Sequence, residues 1–89
     1  MVTEGSRSCV SPLLRLQVSA EADSQVLSRV LERFQNLNLL PRRVVAEFGS
    51  GHLMHIQVDV FGVTEERLSL IASKIGQCPA VLGAHWHYA

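Results

Sequence analysis

The stretch from Ser24 to Val45 decides the fold of this chain, and it reads SQVLSRVLERFQNLNLLPRRVV. Apolar residues of its first half recur at steps of three and four, at Val26, Leu27, Val30, Leu31 and Phe34. That spacing places them on one face of an amphipathic helix. Beyond Phe34 the periodicity ends, Asn38 tolerates the left-handed conformation that closes many helices, and Pro41 cannot continue one. The stretch therefore predicts a helix, a sharp stop and then a strand.

A strand is also predicted before this helix. From Leu13 to Ala20 apolar residues alternate with polar ones, which is typical of a strand with one buried face. Asp23 and Ser24 follow, and their side-chain oxygens make them candidate N-caps. Residues 1–12 lack any such pattern. We expect them to form a flexible tail and residues 13–89 to form the folded domain.

Downstream of the stretch, the sequence predicts a hairpin of two strands, Arg42–Phe48 and Leu53–Phe61. The turn is Gly49-Ser50-Gly51-His52, whose two glycines are free to take positive φ. The residues predicted to face inward are Val44, Ala46 and Phe48 on the first strand and Met54, Ile56, Val58 and Val60 on the second.

A second helix and a last strand complete the pattern. Thr64 is the predicted cap of a helix from Glu65 to Ile75, with Gly76 as its end. The last strand, Val81–Tyr88, allows two registers. In the first, its histidines face inward, and Leu82, Ala84, Trp86 and Tyr88 face the open side of the sheet. In the second, a bulge at Gly83 turns the aromatic residues into the core. We expect the first register, with Trp86 at a subunit contact.

The element order predicts an α+β, ferredoxin-like βαββαβ sandwich. Right-handed crossovers give a four-stranded antiparallel sheet in the order 4-1-3-2, with two helices on one face. The opposite face of the sheet would carry Arg15, Gln17, His55, Gln57 and Asp59.

Composition limits the classes of function. The 89 residues fit one domain, and eight basic residues balance eight acidic ones, which argues against a nucleic-acid or anionic-membrane partner. No apolar run approaches a membrane span, and no signal peptide is visible. We therefore expect a cytoplasmic protein in which Cys9 and Cys78 stay reduced. No nucleophile comes with a recognisable base, so we expect no enzymatic activity.

The run Val18-Ser19-Ala20, the acidic and polar loop after it, and Leu27-Ser28-Arg29-Val30-Leu31 with Phe34 resemble the first half of an ACT domain, the small regulatory module of amino-acid metabolism. The chain is similar, over roughly residues 14–81, to the short small subunit of acetolactate (acetohydroxyacid) synthase. This resemblance implies a non-catalytic subunit of branched-chain amino acid biosynthesis without a cofactor of its own. It also implies a homodimer that binds a large thiamine-diphosphate-dependent catalytic subunit.

In that family an amino acid effector binds between the loop before the first helix and the turn after that helix in the partner chain. The corresponding positions here are Ala22, Asp23, Ser24 and Gln25, and Asn36, Asn38, Leu39 and Leu40. Ala22 replaces an asparagine, Gln25 a glycine, and Leu40-Pro41 an Asn-Ile pair. Because Ala22 has no amide and Pro41 has no N–H, we expect a retained scaffold without valine feedback, as in valine-insensitive members.

Two further sets of residues are candidates. The resemblance and the predicted edge strands suggest Val45, Glu47, Trp86 and Tyr88 as interface residues. An alternative function is a stand-alone module that senses an amino acid or a metal, for which the candidate ligands are His52, His55, His85 and His87. The predicted strand order separates the two histidine pairs, so a site that joins them would need a second chain.

Overall fold

The computed structural model of the protein describes residues 12–89, so most of the predicted tail and Cys9 lie outside the described residues. The elements in chain order are β1 (Leu14–Glu21), α1 (Ser24–Asn36), β2 (Arg43–Phe48), β3 (Leu53–Val60), α2 (Glu65–Gly76) and β4 (Val81–Tyr88). Within residues 12–89, neither helix has the length and apolar character needed to cross a bilayer.

The four strands form one antiparallel sheet in the order β2-β3-β1-β4, which confirms the predicted sandwich. β1 is central: Leu16 pairs with Val58 of β3 on one side and with Trp86 of β4 on the other. The helix-facing residues of β1 and β3 are the predicted ones, and all are buried: Leu14, Leu16, Val18 and Ala20, and Met54, Ile56, Val58 and Val60. These residues form the floor of the core.

Both ends of α1 are fixed by local hydrogen bonds. At the start, the Asp23 carboxylate accepts the backbone N–H of Gln25 at 2.9 Å, as the cap prediction requires. At the end, Asn38 has a φ of 57°, its N–H donates to the carbonyl of Gln35, and the N–H of Leu39 donates to the carbonyl of Phe34. This pair of bonds is a Schellman motif, with asparagine where glycine is usual. The sharp stop is therefore encoded locally.

The predicted inward face of β2 is confirmed, but it is largely exposed. Val44 and Phe48 face the helix side of the sheet, as expected, but they are 40% and 80% exposed. The helices do not reach this edge, because α2 packs against β4 and α1 packs beside α2. The alternating pattern identified the face correctly, but no helix covers it.

The expected register of β4 is also wrong. Ala20 pairs with Val81 and Ser19 with Gly83, so Leu82 is left unpaired as a bulge. The extra residue turns Trp86 toward the helices, where its indole N–H donates to Ser69 Oγ at 2.8 Å. Placing two imidazoles against the core would cost more than placing Ala84 and Trp86 there, which favours this register.

We expect the Asn38 turn to be sensitive to side-chain shape. Asn38→Val should lower the free energy of unfolding by about 1–2 kcal/mol, because a β-branched residue is strained at positive φ. Asn38→Gly should preserve or raise it. Urea unfolding measures both values, and Asn36→Val, two residues earlier at the end of α1, is the matched control. Equal losses at positions 36 and 38 would contradict the prediction.

Candidate functional site

The predicted effector positions lie at opposite ends of α1. Ala22 to Gln25 precede or begin the helix, whereas Asn36 to Leu40 end or follow it. Since α1 has 13 residues, the two groups are separated by about 20 Å of helix. A single chain therefore does not bring the two halves of this site together.

In the half-site before α1, two backbone donors are engaged within the chain. The N–H of Ala22 donates to the His52 carbonyl at 2.6 Å, and the N–H of Gln25 is used by Asp23. A shallow crevice is lined here by Ala22, Asp23, Ser24, Phe48 and Met54. The N–H groups at positions 22 and 25 are thus not available to an amino acid carboxylate, and the crevice walls are largely apolar.

The half-site after α1 is similar in character. The N–H groups of Asn38 and Leu39 close the helix, and Leu40 is 87% exposed. The N–H of Arg42 donates to the Asp59 carbonyl at 2.6 Å, and its guanidinium carbon lies 5.2 Å from the centre of the Phe61 ring. This end offers apolar surface at Leu40, and the backbone N–H groups of Asn38, Leu39 and Arg42 are engaged within the chain.

A row of exposed apolar side chains joins the two ends along β2. Leu40, Val44 and Phe48 form this β2 strip. Arg33 and Asn36 of α1 line a groove against α2, so the helical turn of 100° per residue puts Leu27 and Leu31 on the opposite flank, toward β2. The outer backbone groups of β2 have no strand partner within residues 12–89. An exposed apolar strip beside a bare strand edge is typical of an interaction surface.

One feature of the sequence points to this surface. The strand has only six residues and is preceded by Arg42, with Arg43 as its first residue, and short strands with charged residues are typical of sheet edges. The exposure of Phe48 depends on where the helices lie, which local sequence does not specify.

The predicted interface residues fall on two separate edges. Val45 and Glu47 lie on the open face of β2, whereas Trp86 and Tyr88 lie on the helix side of β4 and meet edge to face at 6.0 Å. They cannot form one continuous patch. Their role in an interface stays a prediction.

The open face of the sheet carries a paired charge. Asp59 lies on this face, as predicted, but it is only 3% exposed, because Arg15 on the neighbouring strand covers it. The Arg15 guanidinium donates to both carboxylate oxygens, at 2.8 and 3.1 Å. Such a bidentate pair is the strong form of an ion pair. The hydrogen bond with Asp59 raises the pKa of Arg15 above its ordinary value.

A polar cleft lies beside this pair. It is lined by Gln17, Val18, Ser19, Val45, Glu47, His55, Ile56 and Gln57. His55 Nδ1 lies 3.2 Å from Ser19 Oγ, and its ring rests against Gly49, where an added Cβ would come within 2.8 Å of Nε2. A side chain at position 49 would therefore require the exposed His55 ring to move, and of the two turn glycines only Gly51 takes positive φ.

The four candidate metal ligands do not converge. His52 and His55 lie on the hairpin, His85 and His87 on β4, with β1 between them. Within residues 12–89 no group of three His, Cys, Asp or Glu side chains is placed to hold a metal ion. His85 and His87 remain neighbours, with ring centres 6.2 Å apart.

Comparisons with known proteins agree with the fold. A family model described as an ACT-like domain matches residues 7–89. No curated protein matches the sequence.

Several solved structures are similar. The C-terminal domain of the MgtC protein from Mycobacterium tuberculosis has a TM-score of 0.76 at 15% identity, covering 100% of this chain and 94% of that one. The ACT domain from GTP pyrophosphokinase of Chlorobium tepidum has a TM-score of 0.72 at 10% identity, covering 86% and 99%. A homoserine dehydrogenase from Thiobacillus denitrificans has a TM-score of 0.70 at 18% identity, but this chain covers only 17% of its length. At these identities the likeness concerns the fold.

The Arg15–Asp59 pair gives a prediction about stability. Arg15→Met should destabilise the protein more than Asp59→Asn, because it leaves a buried carboxylate without a partner, whereas the half-exposed guanidinium can be solvated. Urea unfolding of the two variants and the parent chain measures both losses. A loss for Asp59→Asn as large as that for Arg15→Met would contradict the prediction.

Proposed function

We propose, because the chain belongs to the ACT-like domain family, that it is a non-catalytic regulatory or assembly subunit that forms a homodimer and binds a large catalytic subunit. The observation that carries this proposal is the β2 strip, an exposed apolar row beside a bare strand edge. Leu40 and Phe48 are 87% and 80% exposed, which is costly for a small domain that functions alone.

The proposed dimer pairs β2 with β2 of a second copy. In an antiparallel arrangement around a twofold axis, the outer N–H and C=O groups of both strands are satisfied, and the four-stranded sheets join into one. The apolar strips of the two copies then meet on the helix side of the joined sheet. Burial of these side chains would stabilise the dimer by roughly 25 cal/mol for each Å² removed from water.

This pairing also explains the divided effector site. Phe48 lies beside Ala22 to Ser24 of its own chain, and Arg43 follows the turn after α1. Antiparallel pairing places the Phe48 end of one strand against the Arg43 end of the other. The loop before α1 of one copy would thus face residues 36–40 of its partner, which is the arrangement that the family resemblance implies.

We further propose that no amino acid effector binds in this composite site. Its backbone donors are engaged at Ala22, Gln25, Asn38 and Leu39, and its most exposed large apolar side chains are Leu40 and Phe48. A zwitterionic amino acid needs free donors for its carboxylate and acceptors for its ammonium group. The site is better suited to hold the dimer together than to bind valine.

For the large partner we propose a thiamine-diphosphate-dependent acetolactate synthase subunit in the cytoplasm. The support is the resemblance of residues 14–81 to the short small subunit of that enzyme. In the proposed dimer the helical layer and the polar open face stay exposed and would be available to the catalytic subunit.

A charged substitution in the β2 strip tests the proposed dimer. Phe48→Lys should convert a dimer to a monomer in sedimentation equilibrium, because joining the strips would bury the introduced ammonium group. Leu82→Lys is the matched control, since Leu82 is 62% exposed on the opposite edge, and it should leave the dimer intact. Dissociation by both variants, or a monomeric parent chain, would contradict the β2 contact.

The regulatory role is tested with the synthase large subunit from the same organism. Adding this chain should raise synthase activity, and the two should co-purify, whereas Phe48→Lys should stimulate less. Calorimetry with valine should show no heat of binding. An unchanged activity with no co-purification would reject the synthase partner even if the chain is a dimer. Strong binding of valine would contradict the account of the composite site.

A further inference from the structure

Two exposed histidines on β4 are not used by the proposed function. His85 and His87 alternate along the strand, so both imidazoles lie on the open face, across from Gln17 and Arg15 of β1. β4 is an edge strand, and its outer flank has no strand partner within residues 12–89. The two side chains are therefore accessible from the open face and from the edge.

Their separation suits a shared ion. The ring centres are 6.2 Å apart and the ring planes differ by 25°. With Zn–N bonds of about 2.0–2.1 Å, two imidazole centres on one tetrahedral ion lie about 5 Å apart. Rotation of the exposed side chains closes a gap of about 1 Å without any change in the backbone.

A hydrogen bond already orients one of the rings. His87 Nδ1 lies 2.9 Å from the carbonyl oxygen of Tyr88. A carbonyl oxygen only accepts, so Nδ1 carries the proton that is donated, and in the neutral ring Nε2 keeps its lone pair. Metal-binding histidines are commonly oriented in this way, by a ring N–H held on a backbone carbonyl.

The surrounding charges do not oppose a cation. Arg15 is the charged group nearest in register to His87, and its guanidinium is bound to both oxygens of Asp59. This pair carries no net charge. Gln17, opposite His85, is neutral, and its amide oxygen is available as a further weak ligand.

The geometry points to a site for a divalent first-row transition ion that His85 and His87 of two copies of the chain hold together. Imidazole nitrogen suits Zn²⁺, Ni²⁺ and Cu²⁺. A tetrahedral ion takes four ligands, and no group of three ligating side chains exists within residues 12–89, so the second copy supplies the other pair. β4 lies at the edge opposite β2, so this contact is independent of the proposed dimer.

The test uses the full-length chain without an affinity tag, titrated with Zn²⁺ alone. Calorimetry should give one ion per two chains, and sedimentation should show at least about a twofold rise in mass that EDTA reverses. His87→Ala should weaken binding at least about tenfold and abolish the rise in mass. His52→Ala and Cys9→Ser are the controls, and both should behave like the parent chain.

Three results would overturn the site. These are unchanged zinc binding in the variant with both His85→Ala and His87→Ala, one ion per chain without a change in mass, and loss of binding in Cys9→Ser. If the double variant does not fold, the visible spectrum of Co²⁺ bound to the parent chain tests the site instead. An intense visible spectrum of tetrahedral Co²⁺ supports four nitrogen ligands, and the weak spectrum of octahedral Co²⁺ contradicts them.

Discussion

Two helices cover the four-stranded sheet unevenly, and much of the surface of this molecule follows from that constraint. α2 packs against β4 and α1 packs beside α2, so the helical layer is displaced toward one edge. At the covered edge Trp86 is half-buried and bonded to Ser69, and at the other edge Phe48 is exposed. A domain of this size has little apolar surface to spare, so an uncovered strip of this kind favours association.

How much of this was predictable depends on how local each feature is. The caps of both helices and the turn at Asn38 were predicted from short patterns, because their hydrogen bonds span only two to five residues along the chain. The buried faces of β1 and β3 were predicted for a similar reason, since alternation assigns side chains to faces. The exposure of Phe48, the bulge at Leu82 and the burial of Asp59 depend on elements distant in sequence. The local pattern of apolar and polar residues therefore does not predict these three features.

The candidate site shows the same division. The sequence located the two ends of α1 and identified the residues that replace the family's amide and glycine positions. It did not show that Ala22 and Gln25 donate their N–H groups within the chain, which depends on how the hairpin and the cap lie against the loop. The types of side chain at the site could therefore be predicted from the sequence. Which backbone N–H groups are engaged could not.

The bulge at Leu82 has a consequence for how this chain can vary among relatives. Leu82 is the residue that no partner on β1 opposes, and pairing is regular from Gly83 onward. Loss of this one residue would leave a straight strand with the same side chains on the same faces. Loss of one residue between Ala84 and His87 would exchange the two faces at every later position, putting histidine where Trp86 now lies. We therefore expect relatives to differ in length at position 82 and to keep an invariant spacing after it.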